Sequence, residues 1–123
     1  MWLFSDYGFK IRDSEYSPSF GGEGLIRLEN EKIRIDLISD RDHAYFEFSP
    51  IEGWEKGETV TYDIIRQLIT NEVCDDTMIS ESQIVFLKAN FPKIISLVAS
   101  PQKNDLLFKI RQLERERAKR LFG

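Results

Sequence analysis

Three stretches of alternating apolar and polar residues, joined by short connections, limit this chain more than any other feature. Ile33, Ile35 and Leu37 alternate with Arg34 and Asp36. Ala44, Phe46 and Phe48 alternate with Tyr45 and Glu47, and Leu25-Ile26-Arg27-Leu28-Glu29 sets Ile26 and Leu28 on one side. A period of two places successive side chains on opposite faces of a strand. Asn30-Glu31-Lys32 and Ser39-Asp40-Arg41-Asp42 are too short to hold a crossover, so these strands pair antiparallel. Phe9 and Ile11 alternate with Lys10 and Arg12 as a fourth strand, which reaches the others through the turn-rich Ser17-Pro18-Ser19-Phe20-Gly21-Gly22-Glu23-Gly24. Ahead of it, Leu3 and Phe4 make one turn of helix or an extended cap, ended by Gly8. The prediction is a four-stranded antiparallel meander over about residues 8–49.

After Pro50 the period changes. Ile51 to Glu58 reads as a loop with three glutamates and Trp54. Val60, Ile64, Ile65, Leu68 and Ile69 then fall on one helical stripe, with Thr59 or Thr61 as N-cap. Asp75-Asp76-Thr77 is a second loop. Ser80-Glu81-Ser82-Gln83 has capping-box spacing, and Ile84, Leu87 and Phe91 continue the stripe behind it. Pro92 lacks a backbone donor, so one helix is expected to end near Asn90 and another to begin at Pro92. Ser100-Pro101 opens a last helix running toward Phe122, with Leu106, Ile110, Leu113 and Leu121 facing inward.

Strands followed by helices define an α+β fold, a single domain over residues 1–123 with three to four C-terminal helices packed on one face of the sheet. That face is expected to be Ile26, Leu28, Ile33, Ile35, Leu37, Phe46 and Phe48. The other face carries Lys10, Arg12, Arg27, Glu29, Arg34, Asp36, Tyr45 and Glu47, and is left for water or a partner. A chain of 123 residues supports a core without metal or disulfide staples, and Cys74, the single cysteine, has nothing in the chain to pair with. No apolar run approaches the length of a membrane span, and the first six residues lack the basic and apolar regions of a signal peptide. The expectation is a cytoplasmic protein with no membrane association.

Charge is distributed unevenly. Residues 1–100 hold 10 basic and 18 acidic residues, a net of −8, whereas residues 101–123 hold 7 basic and 3 acidic, a net of +4. An acidic body disfavours nucleic-acid binding, which needs clustered Lys and Arg against phosphate. The basic end reads as the solvated face of the last helix, with Lys119 and Arg120 suited to the negative end of its dipole.

Groups that carry catalysis are sparse. His43 is the only histidine, and a nucleophilic pair with Cys74 lacks an orienting third group. Asp40, Asp42 and His43 have metal-like spacing in a turn, but turn aspartates ordinarily bond their own backbone, and no paired Cys/His or EF-hand motif accompanies them. Gly21-Gly22-Glu23-Gly24 lacks the Lys-Ser/Thr of a phosphate loop and precedes a strand. No catalytic, cofactor or metal residues are assigned from the sequence.

Asp6-Tyr7-Gly8-Phe9-Lys10, the Ser17–Gly22 segment, Leu28-Glu29-Asn30, Ile33-Arg34-Ile35 and Asp40-Arg41-Asp42 together resemble a widespread group of small bacterial proteins similar to the immunity proteins of polymorphic toxin systems. Asn90-Phe91-Pro92-Lys93-Ile94, Ser100-Pro101 and the run Arg115 to Gly123 resemble the group's closing helix. The resemblance implies a non-enzymatic protein that neutralises a cognate toxin by masking its active site. An acidic body would steer toward a basic partner such as a nuclease toxin. Asp40, Asp42, Tyr45, Glu47 and Trp54 are the expected contacts. The alternative is a structural or regulatory protein that homodimerises through its open sheet face or its C-terminal helix.

Overall fold

The computed structural model describes residues 2–17, 23–40, 43–55, 58–75 and 77–122. A short helix α1 (Trp2–Tyr7) precedes strands β1 (Lys10–Ser17), β2 (Glu23–Glu29), β3 (Ile33–Asp40), β4 (His43–Pro50) and β5 (Val60–Thr61). Helices α2 (Tyr62–Thr70), α3 (Glu81–Val98) and α4 (Lys103–Phe122) follow. The described residues form one antiparallel sheet in the order β1-β2-β3-β4-β5. The α+β class and the meander follow from the alternating pattern, but the sheet has five strands rather than four. Val60 and Thr61 pair with Phe48 and Glu47 before the chain turns into α2. Two residues are too few to show a period, so β5 carried no signal of its own. The glycine-rich connection at 18–22 and the turn residues 41–42 lie outside the described residues.

The core lies between the sheet and the helices. Leu28, Ile33, Ile35, Phe46 and Phe48 are buried on one sheet face against Ile64, Ile65, Leu87, Phe91, Ile94 and Val98. Ile26 lies on that same face, opposite Leu37, yet keeps 42% of its surface exposed. The helices cover the β3–β5 half of the sheet, and the far end of the β1–β2 hairpin extends past them. Ile11 on β1, opposite buried Leu28, is exposed as well.

Pro92 does not end a helix. The α3 helix runs from Glu81 to Val98 with Pro92 inside it. The proline removes one donor to the Lys88 carbonyl, but both residues face solvent, where water satisfies that group. Phe91, beside it, is fully buried and meets Trp2, Tyr7 and Phe9 edge-on at centroid distances of 5.1, 4.6 and 5.8 Å. Burying Leu87, Phe91, Ile94 and Val98 stabilises the helix by about 1.5–3 kcal/mol each, enough to outweigh an interior-proline cost of about 3 kcal/mol.

Two stripes differ in detail from the expected ones. In α3 the buried row begins at Gln83, while Ile84 is exposed. Ser80 accepts the Gln83 amide at 3.2 Å, half of the expected capping box, and the Gln83 side chain turns into the core. In α4, Leu106 and Ile110 are buried and Leu113 is half-buried, but Leu121 is exposed. The chain bends by 118° between α3 and α4. Among the described residues, no single helix is long and apolar enough to cross a membrane.

Candidate functional site

The register aligns the charges of the sheet's second face into rows. Asp13 stands opposite Arg27, Arg27 opposite Asp36, Asp36 opposite Glu47 and Glu47 opposite Thr61, a line across all five strands. Arg27 donates to both Asp36 oxygens, at 2.9 and 3.2 Å, and Asp36 is buried beneath it. The hydrogen bond to Asp36 holds the Arg27 pKa above its ordinary value. In the neighbouring row, Arg34 donates twice to one oxygen of Glu29, at 2.9 and 3.1 Å. On the β1–β3 side, then, cation and anion alternate and close on each other.

The β4 end is different. Glu47 is half-buried between Asp36 and Thr61, and no described lysine or arginine forms an ion pair with it. Burial pushes its carboxyl above the ordinary carboxylate value; a hydrogen bond from Thr59 opposes that rise and the charge of Asp36 adds to it. Two residues back on the same face, Tyr45 is half-buried, and burial raises its phenol, with smaller contributions from Glu47 and Asp40. Asp40 stands opposite His43, whose ring lies 5.5 Å from that of Tyr45. The strand period therefore brings Asp40, Tyr45 and Glu47 into one neighbourhood. Asp42 lies outside the described residues. Trp54 follows β4 in the loop and is half-buried against the core, apart from this strand face.

Beside the acids lies a cavity of about 220 Å³, with Tyr45, His43, Thr61 and Tyr62 in its wall. Its floor holds Asp63, which is 1% exposed, and Arg117 of α4. Arg117 donates to the Asp63 Oδ2 at 2.8 Å and to the Thr61 Oγ1 at 3.1 Å, and the Thr61 hydroxyl donates to the Asp63 Oδ1 at 2.5 Å. Thr61 is the N-cap residue of α2, but its hydroxyl is engaged by Asp63 and makes no cap hydrogen bond. Asp63 and Arg117 were not singled out from the sequence. The only sequence signal for Asp63 is a carboxylate inside the apolar stretch Val60 to Ile65, and Arg117 was one cation in a run of several.

The basic C-terminal run is not simply solvated. Among the described residues, Arg111 pairs with Glu58 at 2.8 Å, Arg117 with Asp63 at 2.8 Å and Arg120 with Asp75 at 3.0 Å, while Lys103 donates to the Gly53 carbonyl at 2.7 Å. The positive end of the sequence is laid along acids of its own body. Among the described residues, no group of three or more His, Cys, Asp and Glu side chains is placed to hold a metal ion. Compared with family models, with curated proteins and with solved structures, the chain matches none.

Proposed function

We propose that this protein acts by binding another protein through the polar sheet face, and that it is an immunity-type inhibitor that masks the active site of a basic toxin. One observation carries the reading: on a face where Arg27 pairs with Asp36 and Arg34 with Glu29, Asp40 and Glu47 flank Tyr45 without a described cation of their own. Half-burying an unpaired carboxylate costs stability, and a complementary cation on a partner relieves that cost. An aromatic beside it supplies contact area of the kind that dominates interface energetics. Function by binding needs only a rigid surface, and a cross-strand platform is one.

The test is titration calorimetry and stopped-flow mixing with the products of the genes that flank its own, any basic toxin domain among them first. The expected result is a one-to-one complex whose on-rate falls steeply between low and physiological salt. Loss of binding in Tyr45→Ala, with the fold retained, places the contact on this face. Absence of a complex, or an on-rate indifferent to salt, overturns the reading.

A second reading, a homodimer through the C-terminal helix, is favoured by a separate observation. Phe108, Leu121 and Phe122 are exposed on α4, with Phe122 86% exposed. Light scattering separates the two: a dimer lost in Phe108→Ser with Phe122→Ser supports the second reading, and a monomer removes it.

A further inference from the structure

We infer that the cavity beside Tyr45 is an anchor site for one long basic side chain, an arginine or lysine, of the partner protein. The inference rests on the protein-binding reading and names the chemistry of the contact. A volume of about 220 Å³ is below the roughly 300–1,000 Å³ of pockets that enclose small-molecule ligands, and it suits a single side chain. The walls supply aromatic surface from Tyr45, Phe46 and Tyr62, against which an aliphatic stem packs.

Two acids beside the cavity decide the sign of the charge. Thr61 lines the cavity and stands opposite Glu47; His43 lines it and stands opposite Asp40. Neither acid lines the cavity, but both act electrostatically on Tyr45, which does, and the Tyr45 ring offers a cation–π surface. The Arg117 cation in the floor does not reverse this. Both of its bonds through Nη1 run to Asp63 and Thr61, and its Nη2 lies 3.9 Å from Glu114. The two Asp63 oxygens are likewise taken, by Thr61 and Arg117. Asp63 and Arg117 form a closed, neutral pair, and the charges that act on Tyr45 are those of Glu47 and Asp40.

The test uses the full chain and no toxin, so its outcome is independent of whether the neighbouring gene product binds. N-acetyl-argininamide is titrated while amide and aromatic NMR signals are recorded, with N-acetyl-norleucinamide as the uncharged stem and inorganic phosphate as the opposite charge. The expected result is saturable shifts at His43, Tyr45, Thr61 and Tyr62, with a Kd of about 1 mM, the strength ordinary for a ligand of this size. The norleucine compound and the Glu47→Gln variant each weaken binding by about tenfold, the loss expected when a charge-assisted contact is removed. Asp40→Asn is the second variant should Glu47→Gln fail to fold. Equal binding of the norleucine compound, binding of phosphate at the same residues, or no saturation by about 50 mM overturns the assignment. Should the arginine compound bind and the toxin domain not, the pocket stands and the toxin reading falls.

Discussion

Two charged surfaces of this protein are built from the same residue types and behave differently. Along α4, Arg111, Arg117 and Arg120 meet acids from the 53–63 segment and from the residues after α2. At the β4 end of the sheet, Asp40 and Glu47 face outward beside Tyr45 with no described cation between them. The first surface closes the fold, because its charges are spent holding α4 to the body. The second leaves its field for something outside the chain. Net charge does not separate them; pairing does.

The largest test of the difference is at the buried pair. Arg117→Met leaves Asp63, 1% exposed, without its cation, and the expected loss in urea unfolding is about 3 kcal/mol. Adding Asp63→Asn to that variant recovers much of the loss, since no uncompensated charge then remains inside. A loss under about 0.5 kcal/mol would mean that α4 is held by apolar packing alone. Next in size is Arg27→Ala, which strips the bidentate partner from buried Asp36. About 2 kcal/mol is expected, and it marks the β1–β3 side of the sheet as fold-building in the same sense as α4.

Arg111→Ala and Arg120→Ala sharpen the comparison from the other side. Their pairs with Glu58 and Asp75 are largely solvated, so each change costs less than about 1 kcal/mol, and the cost shrinks further in high salt. A larger cost would show that the outer pairs act as one network with Arg117.

The smallest effect has the opposite sign. Burial raises the folded-state pKa of Glu47 above its unfolded value. Its contribution to stability is therefore full below the unfolded carboxylate pKa, about 4.3, and is lost as pH rises through the folded value. Glu47→Gln removes the charge that causes this loss. The variant is expected to match the parent in thermal unfolding near pH 4 and to exceed it slightly at pH 7, while binding the partner less well. A variant less stable than the parent at pH 7 would show that Glu47 serves the fold, and the contrast between the two surfaces would fail.

Much of the architecture was legible in advance, for reasons that stay local. Ile33-Arg34-Ile35-Asp36-Leu37 declares a strand by its own alternation, and the three residues at 30–32 force an antiparallel neighbour. Asp40, Tyr45 and Glu47 were legible as a group because the same period that buries Phe46 and Phe48 turns Tyr45 and Glu47 to the other face. What was hidden depends on residues far apart. Asp63 and Arg117 lie 54 positions from each other, and neither has a local pattern that points to the other. Pro92 misled for a related reason. Its backbone preference is a local statement, and it was overruled by the aromatic cluster that Trp2, Tyr7 and Phe9 form around Phe91.

The chain by itself determined its class, the order of strands and helices, and which strand positions face away from the core. Those properties follow from side-chain period and turn length, which act over a few residues. Only the tertiary structure decided which charges are cancelled and which are left facing outward. Pairing depends on distance in space and on the water that burial removes, and neither is written in the spacing of residues along the chain.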